Sequence, residues 1–336
     1  MKSVLLVLVC MLFAFSGVAA EWSLSGSVII QSYYENFDKD LSETGESDTD
    51  LNFGLQGNSR LDAEVKVNDK MSATVELGIG SSVTTRLFFA TYDFGSFKLE
   101  IGQDYTPTDF EPFNQVYFED NALDGFGGVS AGRLPQIKLF MGGLEIALVE
   151  SKTMGDKDYD TVLPKIELAY GLSAAGVDAR IFGGFNTYKY DNKTSGSDKS
   201  VLNYIVGAGA TYALAPATIS AVLWYGQNTG DYGLTSNGSY DVTGDENSKD
   251  FGGAIEVGFT ANDMLSFAIG YGYQQADRDD FKKADAQQSY YANATITVAK
   301  GFYVVPEVGV FDYMKDAGDK KEGKLTYVGA KWQMDF

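Results

Sequence analysis

From Glu21 to the last residue, hydrophobic side chains recur at every second position. In 260–274 the apolar set is Leu265, Phe267, Ile269, Tyr271 and Tyr273, and Ser266, Ala268, Gly270, Gly272 and Gln274 stand between them. A period of two puts the two sets on opposite faces of a strand. The same alternation runs through Leu61, Ala63, Val65 and Val67, through Ala73, Val75, Leu77 and Ile79, and through Tyr290, Ala292, Ala294, Ile296 and Val298. No segment carries a 3.6-residue stripe, so the chain is all-β. One face is apolar and the other is polar or glycine, a poor second face for a soluble sandwich core.

Counting strands gives sixteen: about 22–34, 51–67, 71–80, 84–94, 97–103, 136–141, 144–150, 162–170, 177–188, 201–212, 217–227, 251–260, 264–274, 288–298, 302–312 and 325–336. The connections alternate. Long ones (35–50, 104–135, 151–161, 189–200, 228–250, 275–287, 313–324) are separated by short Gly-, Asn- and Asp-bearing turns such as Gly95-Ser96 and Gly142-Gly143; 81–83 is a short exception in a long slot. Tight turns of this composition close hairpins. Long loops at one end and short turns at the other are the layout of a closed transmembrane barrel, which pairs every backbone group in hydrocarbon and leaves no edge. Both termini then lie at the short-turn end. The fold expected is a 16-stranded antiparallel transmembrane β-barrel.

The start of the chain supports export. Lys2 precedes an unbroken apolar run, Val4–Phe15, and Val18 and Ala20 stand where a signal peptidase requires small residues. Residues 1–20 therefore read as a cleaved signal peptide and 21–336 as one barrel domain. The single cysteine, Cys10, falls inside the apolar run, and Val9 before it does not suit a lipidation site. After residue 20 no apolar stretch approaches the ~18 residues of a spanning helix.

Composition removes several functions. The 336 residues include no His, one Cys, 26 Lys+Arg and 46 Asp+Glu, a formal charge of −20. Without His there is no His-dependent triad, hydrolytic or otherwise. A strongly acidic chain lacks the basic surface that nucleic acid requires. No acidic spacing matches an EF-hand loop, so no metal or cofactor is expected. The 21 Tyr and 22 Phe cluster near strand ends. Tyr170, Tyr212, Phe259, Phe302 and Phe336 fall at short turns, and Tyr34, Tyr188, Tyr225, Tyr273, Tyr290 and Tyr313 fall near long loops, as two interfacial belts would. Residues 35–50 and 231–250 are rich in Asp and Glu and read as a solvated surface that leans toward cations.

Three segments resemble the general trimeric porins of Gram-negative outer membranes. They are Asn58-Ser59-Arg60-Leu61 with the following Met71–Gly80, Thr84–Ala90 with Gly95-Ser96-Phe97 and Ile101–Tyr105, and Gly132–Ile137. The clear part of the resemblance covers about 58–150 and the C-terminal strand, where Trp332, Met334 and Phe336 look like the signal read by the barrel-assembly machinery. The resemblance implies an outer-membrane homotrimer in contact with lipid and lipopolysaccharide, passing small hydrophilic solutes and ions by diffusion. It also implies that the long third loop folds into the pore. That loop carries Asp109, Glu111, Glu119, Asp120 and Asp124, and the family faces it with wall arginines at positions matching Arg60, Arg86 and Arg133. Lys98 and Lys138, on the polar faces of their strands, are further basic candidates. The strand around Arg86 is apolar on both faces, so its inward direction rests on the resemblance. A sugar- or acid-selective porin of the same fold is the alternative, with Phe182, Trp224 and Tyr291 as a greasy track in the lumen.

Overall fold

The computed structural model describes residues 20–151, 159–190 and 199–336; the expected signal peptide lies almost wholly outside them. Sixteen wall strands follow one another: β1 (Glu21–Phe37), β2 in two runs (Asp48–Leu55 and Arg60–Asn68), β3 (Met71–Ile79), β4 (Val83–Asp93), β5 (Lys98–Tyr105), β6 (Arg133–Met141), β7 (Leu144–Val149) and β8 in two runs (Tyr159–Thr161 and Lys165–Ala174). The circuit continues with β9 (Val177–Tyr190), β10 (Lys199–Leu214), β11 (Ala217–Gln227), β12 (Lys249–Asn262), β13 (Leu265–Asp277), β14 (Asp285–Ala299), β15 (Phe302–Lys315) and β16 (Lys324–Asp335). Each strand pairs antiparallel with its sequence neighbours. β1 closes the ring on β16, from Ser27 opposite Asp335 to Phe37 opposite Leu325. All sixteen strands expected from the alternation are present. No helix among the described residues is long and apolar enough to cross a membrane.

The apolar set faces outward. Leu24, Phe53, Leu223 and Ile269 are 67%, 70%, 74% and 62% exposed, a pattern tolerable only against lipid. A charge on this face meets hydrocarbon. Ile269→Lys, near the middle of β13, is therefore expected to cost ~2–4 kcal/mol of folding stability, measurable by urea titration of refolded protein in lipid. Tyr34, Tyr170, Tyr212, Tyr225, Tyr290, Phe259 and Phe336 of the expected belts are exposed. Tyr188 and Tyr313 depart from them. Tyr188 is fully buried beside Tyr190 and Tyr240, and Tyr313 packs on Phe126 at 5.7 Å. Both belong to the inward set near the loops, where parity rather than position along the strand decides which side a ring takes.

The inward glycines have a use that their polarity alone does not suggest. A Cβ on Gly209 would collide with the Phe110 ring, and one on Gly272 with the Phe126 carbonyl oxygen. Both contacts come from the third long loop, so the glycine face is where that segment lies against the wall.

Candidate functional site: the lumen and its third loop

Residues 106–132 run around the inside of the wall. They are held there by inward carboxylates of the strands. Glu167 of β8 accepts hydrogen bonds from the Thr108 N–H and hydroxyl at 3.0 and 2.9 Å. Glu256 of β12 accepts from the Asn114 N–H and side-chain amide, both at 2.6 Å, and from the Tyr291 hydroxyl. Glu307 of β15 accepts from the N–H groups of Val116 and Tyr117, each at 2.8 Å, and Glu35 of β1 from the Tyr117 hydroxyl at 2.6 Å. A carboxylate that gathers several N–H donors forms charge-assisted bonds, and a buried backbone N–H needs such a partner. These four glutamates were missed in the sequence. The signal for Glu35, Glu256 and Glu307 was a lone acid at an inward position with no base beside it on the same strand face; Glu167 instead has Lys165 two residues before it, 3.0 Å away.

The loop tip is strained. Phe118, Glu119 and Asp120 have φ of 53°, 65° and 61°, a left-handed run that side chains rarely adopt. Three contacts secure it. Glu119 Oε1 accepts from the Gly57 N–H at 2.8 Å, Asp120 Oδ2 accepts from Asn58 Nδ2 at 2.8 Å, and Asp120 Oδ1 meets Lys331 Nζ at 2.6 Å. Gly57 and Asn58 lie in the break between the two runs of β2. Glu119 and Asp120 thus fasten the tip to the wall.

Asp109 and Glu111 lie on the loop's outgoing limb and Asp124 on its return. Asp109 Oδ1 accepts from the Ala131 N–H at 3.1 Å, and Ser130 stands beside both Asp109 and Glu111. Burial, with mutual repulsion, pushes the Asp109 carboxyl up to about 7 and Glu111 up to about 9; burial also takes Asp124 up to about 6.

Of the basic candidates, Arg60 and Arg86 come together. Arg60 Nε lies 3.8 Å from Asp62 and 4.0 Å from Glu76, and Arg86 is paired to Glu76. A β-bulge explains the direction of Arg86. Leu77 pairs with Thr85 while Glu76 pairs with Leu87, so Arg86 is the extra residue on β4. A bulge re-aims a side chain against strict alternation, and here it turns Arg86 to the side of Glu76. Arg133 is not brought to this group. It falls in step with outward Ile137, and its Nη1 donates to the Tyr105 hydroxyl at 3.1 Å. Lys98 is exposed near the short turns, 4.4 Å from the Phe140 ring centre. Lys138 is buried between Glu100 at 3.0 Å and Asp104 at 2.7 Å.

The lumen is therefore two-sided. On the β8–β14 side, Phe182, Trp224 and Tyr291 are at most 4% exposed, packed with Phe113, Leu123 and Val129 of the loop. Trp224 Nε1 donates to the Gly127 carbonyl at 3.1 Å. Rings expected to form a solute track are instead the surface under the loop. On the opposite side, the inward side chains of Arg60 and Asp62 keep 30% and 23% exposure. The space left for water borders β2–β4 and carries charge pairs. The acidic connection 231–250 also differs from a solvated surface, since Asp231 and Asp250 are fully buried.

This closed ring of sixteen antiparallel strands, apolar outside and crossed inside by its third loop, has the fold of the outer-membrane porins of Gram-negative bacteria. No protein-family model matches the chain, and neither does any curated sequence. Solved structures do. The outer-membrane channel DcaP of Acinetobacter baumannii superposes with a TM-score of 0.76 at 19% identity, covering 94% of this chain and 97% of that one. The trimer form of OmpT, an outer-membrane protein of Vibrio cholerae, gives 0.62 at 15% identity over 95% and 100%. The anion-selective porin of Comamonas acidovorans gives 0.62 at 13% over 94% and 100%.

Proposed function

We propose that the protein is an outer-membrane porin, passing small hydrophilic solutes and ions by passive diffusion. The observation that carries this reading is the charged inner wall at Arg60, Asp62, Glu76 and Arg86, where Arg60 and Asp62 keep 30% and 23% exposure inside a closed sixteen-strand ring while the third loop packs against the other side. A barrel of this strand number encloses an aqueous channel. Reconstitution in planar bilayers is expected to give stable ohmic steps; a sealed bilayer with folded protein removes the reading. A homotrimer is part of the proposal, supported by the trimer form of one structural neighbour. Contact with lipopolysaccharide, and recognition of the strand bearing Trp332, Met334 and Phe336 by the assembly machinery, are further parts. Those three side chains face outward, 43–69% exposed.

A cation preference is also proposed. One neighbour is anion-selective, so the fold does not set the sign and the chain's own charges must. The net charge is −20, and the two wall arginines are matched by Asp62 and Glu76. The remaining acidic charge of the third loop is then that of Asp109, Glu111 and Asp124, with Arg133 acting on Glu111 alone. The first two are the acidic constriction candidates that stay close together, and all three have raised carboxyl values. A carboxyl is neutral below its own pKa, so these groups lose charge as pH falls from about 9 through about 6. Reversal potentials across a salt gradient are expected to show cation preference falling over that interval. A ratio that stays constant from alkaline to mildly acidic buffer would disconnect these acids from the passage.

A further inference from the structure

The porin reading assigns the narrowing of the lumen to the third loop alone. We propose that the connection between β11 and β12, residues 228–248, is a second selectivity element: it clamps the third loop in place and, with it, sets the size of the passage. The inference rests on the porin reading and deepens it.

The connection turns inward at its root. Asn228 N–H donates to the Ser248 hydroxyl at 3.1 Å, while the Thr229 N–H and hydroxyl donate to Asp250 Oδ2 at 2.8 and 2.7 Å. Residues Thr229–Tyr232 make one helical turn, ended by Gly233 with φ 116°. That turn delivers Tyr232 into the wall–loop junction, where it is fully buried. Its hydroxyl donates to Glu167 Oε1 at 2.8 Å, and Lys165 Nζ sits 4.3 Å from its ring centre. Glu167 is the same carboxylate that holds Thr108 of the third loop, so one wall residue binds both segments.

The next residues grip the third loop itself. Leu234, 3% exposed, joins the apolar cluster of Phe113, Leu123 and Val129. The Thr235 hydroxyl donates to Asp124 Oδ2 at 3.0 Å, and Gln274 of β13 donates to the Thr235 carbonyl at 2.8 Å. Asp124 belongs to the loop's return, next to Gly125. A loop held from the wall side by carboxylates and from above by a second loop has no side free to move except the one facing the passage.

The test uses purified, refolded full-length protein in planar bilayers. Tyr232→Phe removes the bond to Glu167 and keeps the ring. Conductance is expected to rise by about 1.5-fold or more, with larger sugars entering in liposome swelling, because current through a water-filled pore follows its narrowest section. A cross-link provides the reverse operation. A Cβ at Gly125 would stand 3.6 Å from Thr235 Cβ, within the ~3.5–4.5 Å that a disulfide spans. Gly125 has φ 76°, so the cysteine carries some backbone strain. In Gly125→Cys/Thr235→Cys/Tyr232→Phe, oxidation is expected to return conductance and sugar cut-off to the wild-type values, and reduction to raise them again. A merely structural role for Tyr232 would not answer to the redox state of a bond between the two loops. The clamp is overturned by a cross-link that does not form in folded protein, or by conductance that is the same in wild type, Tyr232→Phe, and both redox states. Wild-type protein that gives no steps would instead strike the porin reading.

Discussion

Replacing Arg60 and Arg86 together with glutamine raises the preference for potassium over chloride, by roughly twofold to fivefold in permeability ratio. The two arginines share Glu76, and Arg60 also faces Asp62. With both gone, two carboxylates remain on this part of the inner wall with no opposite charge. A unit charge about 4 Å from a passing ion in water is worth about 1 kcal/mol, and salt screening reduces it. The mirror variant, Asp62→Asn with Glu76→Gln, leaves two unmatched arginines and moves the ratio the other way. Reversal potentials measured in the same bilayers decide the matter. Ratios that move in neither variant would place the conducting path away from this wall. Arg133→Gln serves as a comparison for the third loop rather than this wall: Arg133 stands beside Tyr105 and its charge acts on Glu111.

The second large effect is expected at Glu307. Its two oxygens take the N–H groups of Val116 and Tyr117, the Asn293 amide and the Tyr327 hydroxyl. Hydrogen bonds to a charged group are worth ~1.5–3 kcal/mol each, and donors left without a partner in a buried site add their desolvation cost. Glu307→Ala therefore frees the segment just before the strained tip. Steady conductance is expected to break into flicker between levels, and the 118–124 stretch to become open to protease in otherwise folded protein. Glu307→Gln keeps one acceptor oxygen but turns an NH2 toward donors, so it falls between alanine and wild type. A quiet, protease-resistant Glu307→Ala channel would mean that the loop is held by its apolar contacts alone.

The wall was legible in the sequence because its two faces meet different solvents. Lipid demands Ile, Leu and Phe at every second position, and the polar-and-glycine second face sets the pattern apart from a soluble sandwich. The short β6 and β7 were the faintest of the sixteen, carried by Ile137 and Leu139 and the Gly142-Gly143 turn. What could not be read was anything that depends on a partner segment. The direction of Arg86 comes from a register shift against β3, visible only once Glu76 and Leu77 have their opposite numbers. The fate of Glu119 and Asp120 depends on Gly57, Asn58 and Lys331, which lie 62 to 211 residues away in sequence. The connection 228–248 was judged by its acids. Its apolar residues, Tyr232 and Leu234, were the better guide, because a loop bound for solvent has little reason to carry them.

The interruption in β2 has a consequence for how the molecule comes together. At residues 56–59 the strand stops pairing as a ladder. The Gly57 N–H is capped by Glu119, while Ser59 covers the gap with its hydroxyl on the Ile29 N–H. The wall is closed on β1 on either side of this point, and the one amide left over is taken by a segment that has travelled around the interior. Sealing of the envelope and placement of the inner obstruction become one cooperative transition. A chain that has shut its outside without seating its inside leaves that amide to water.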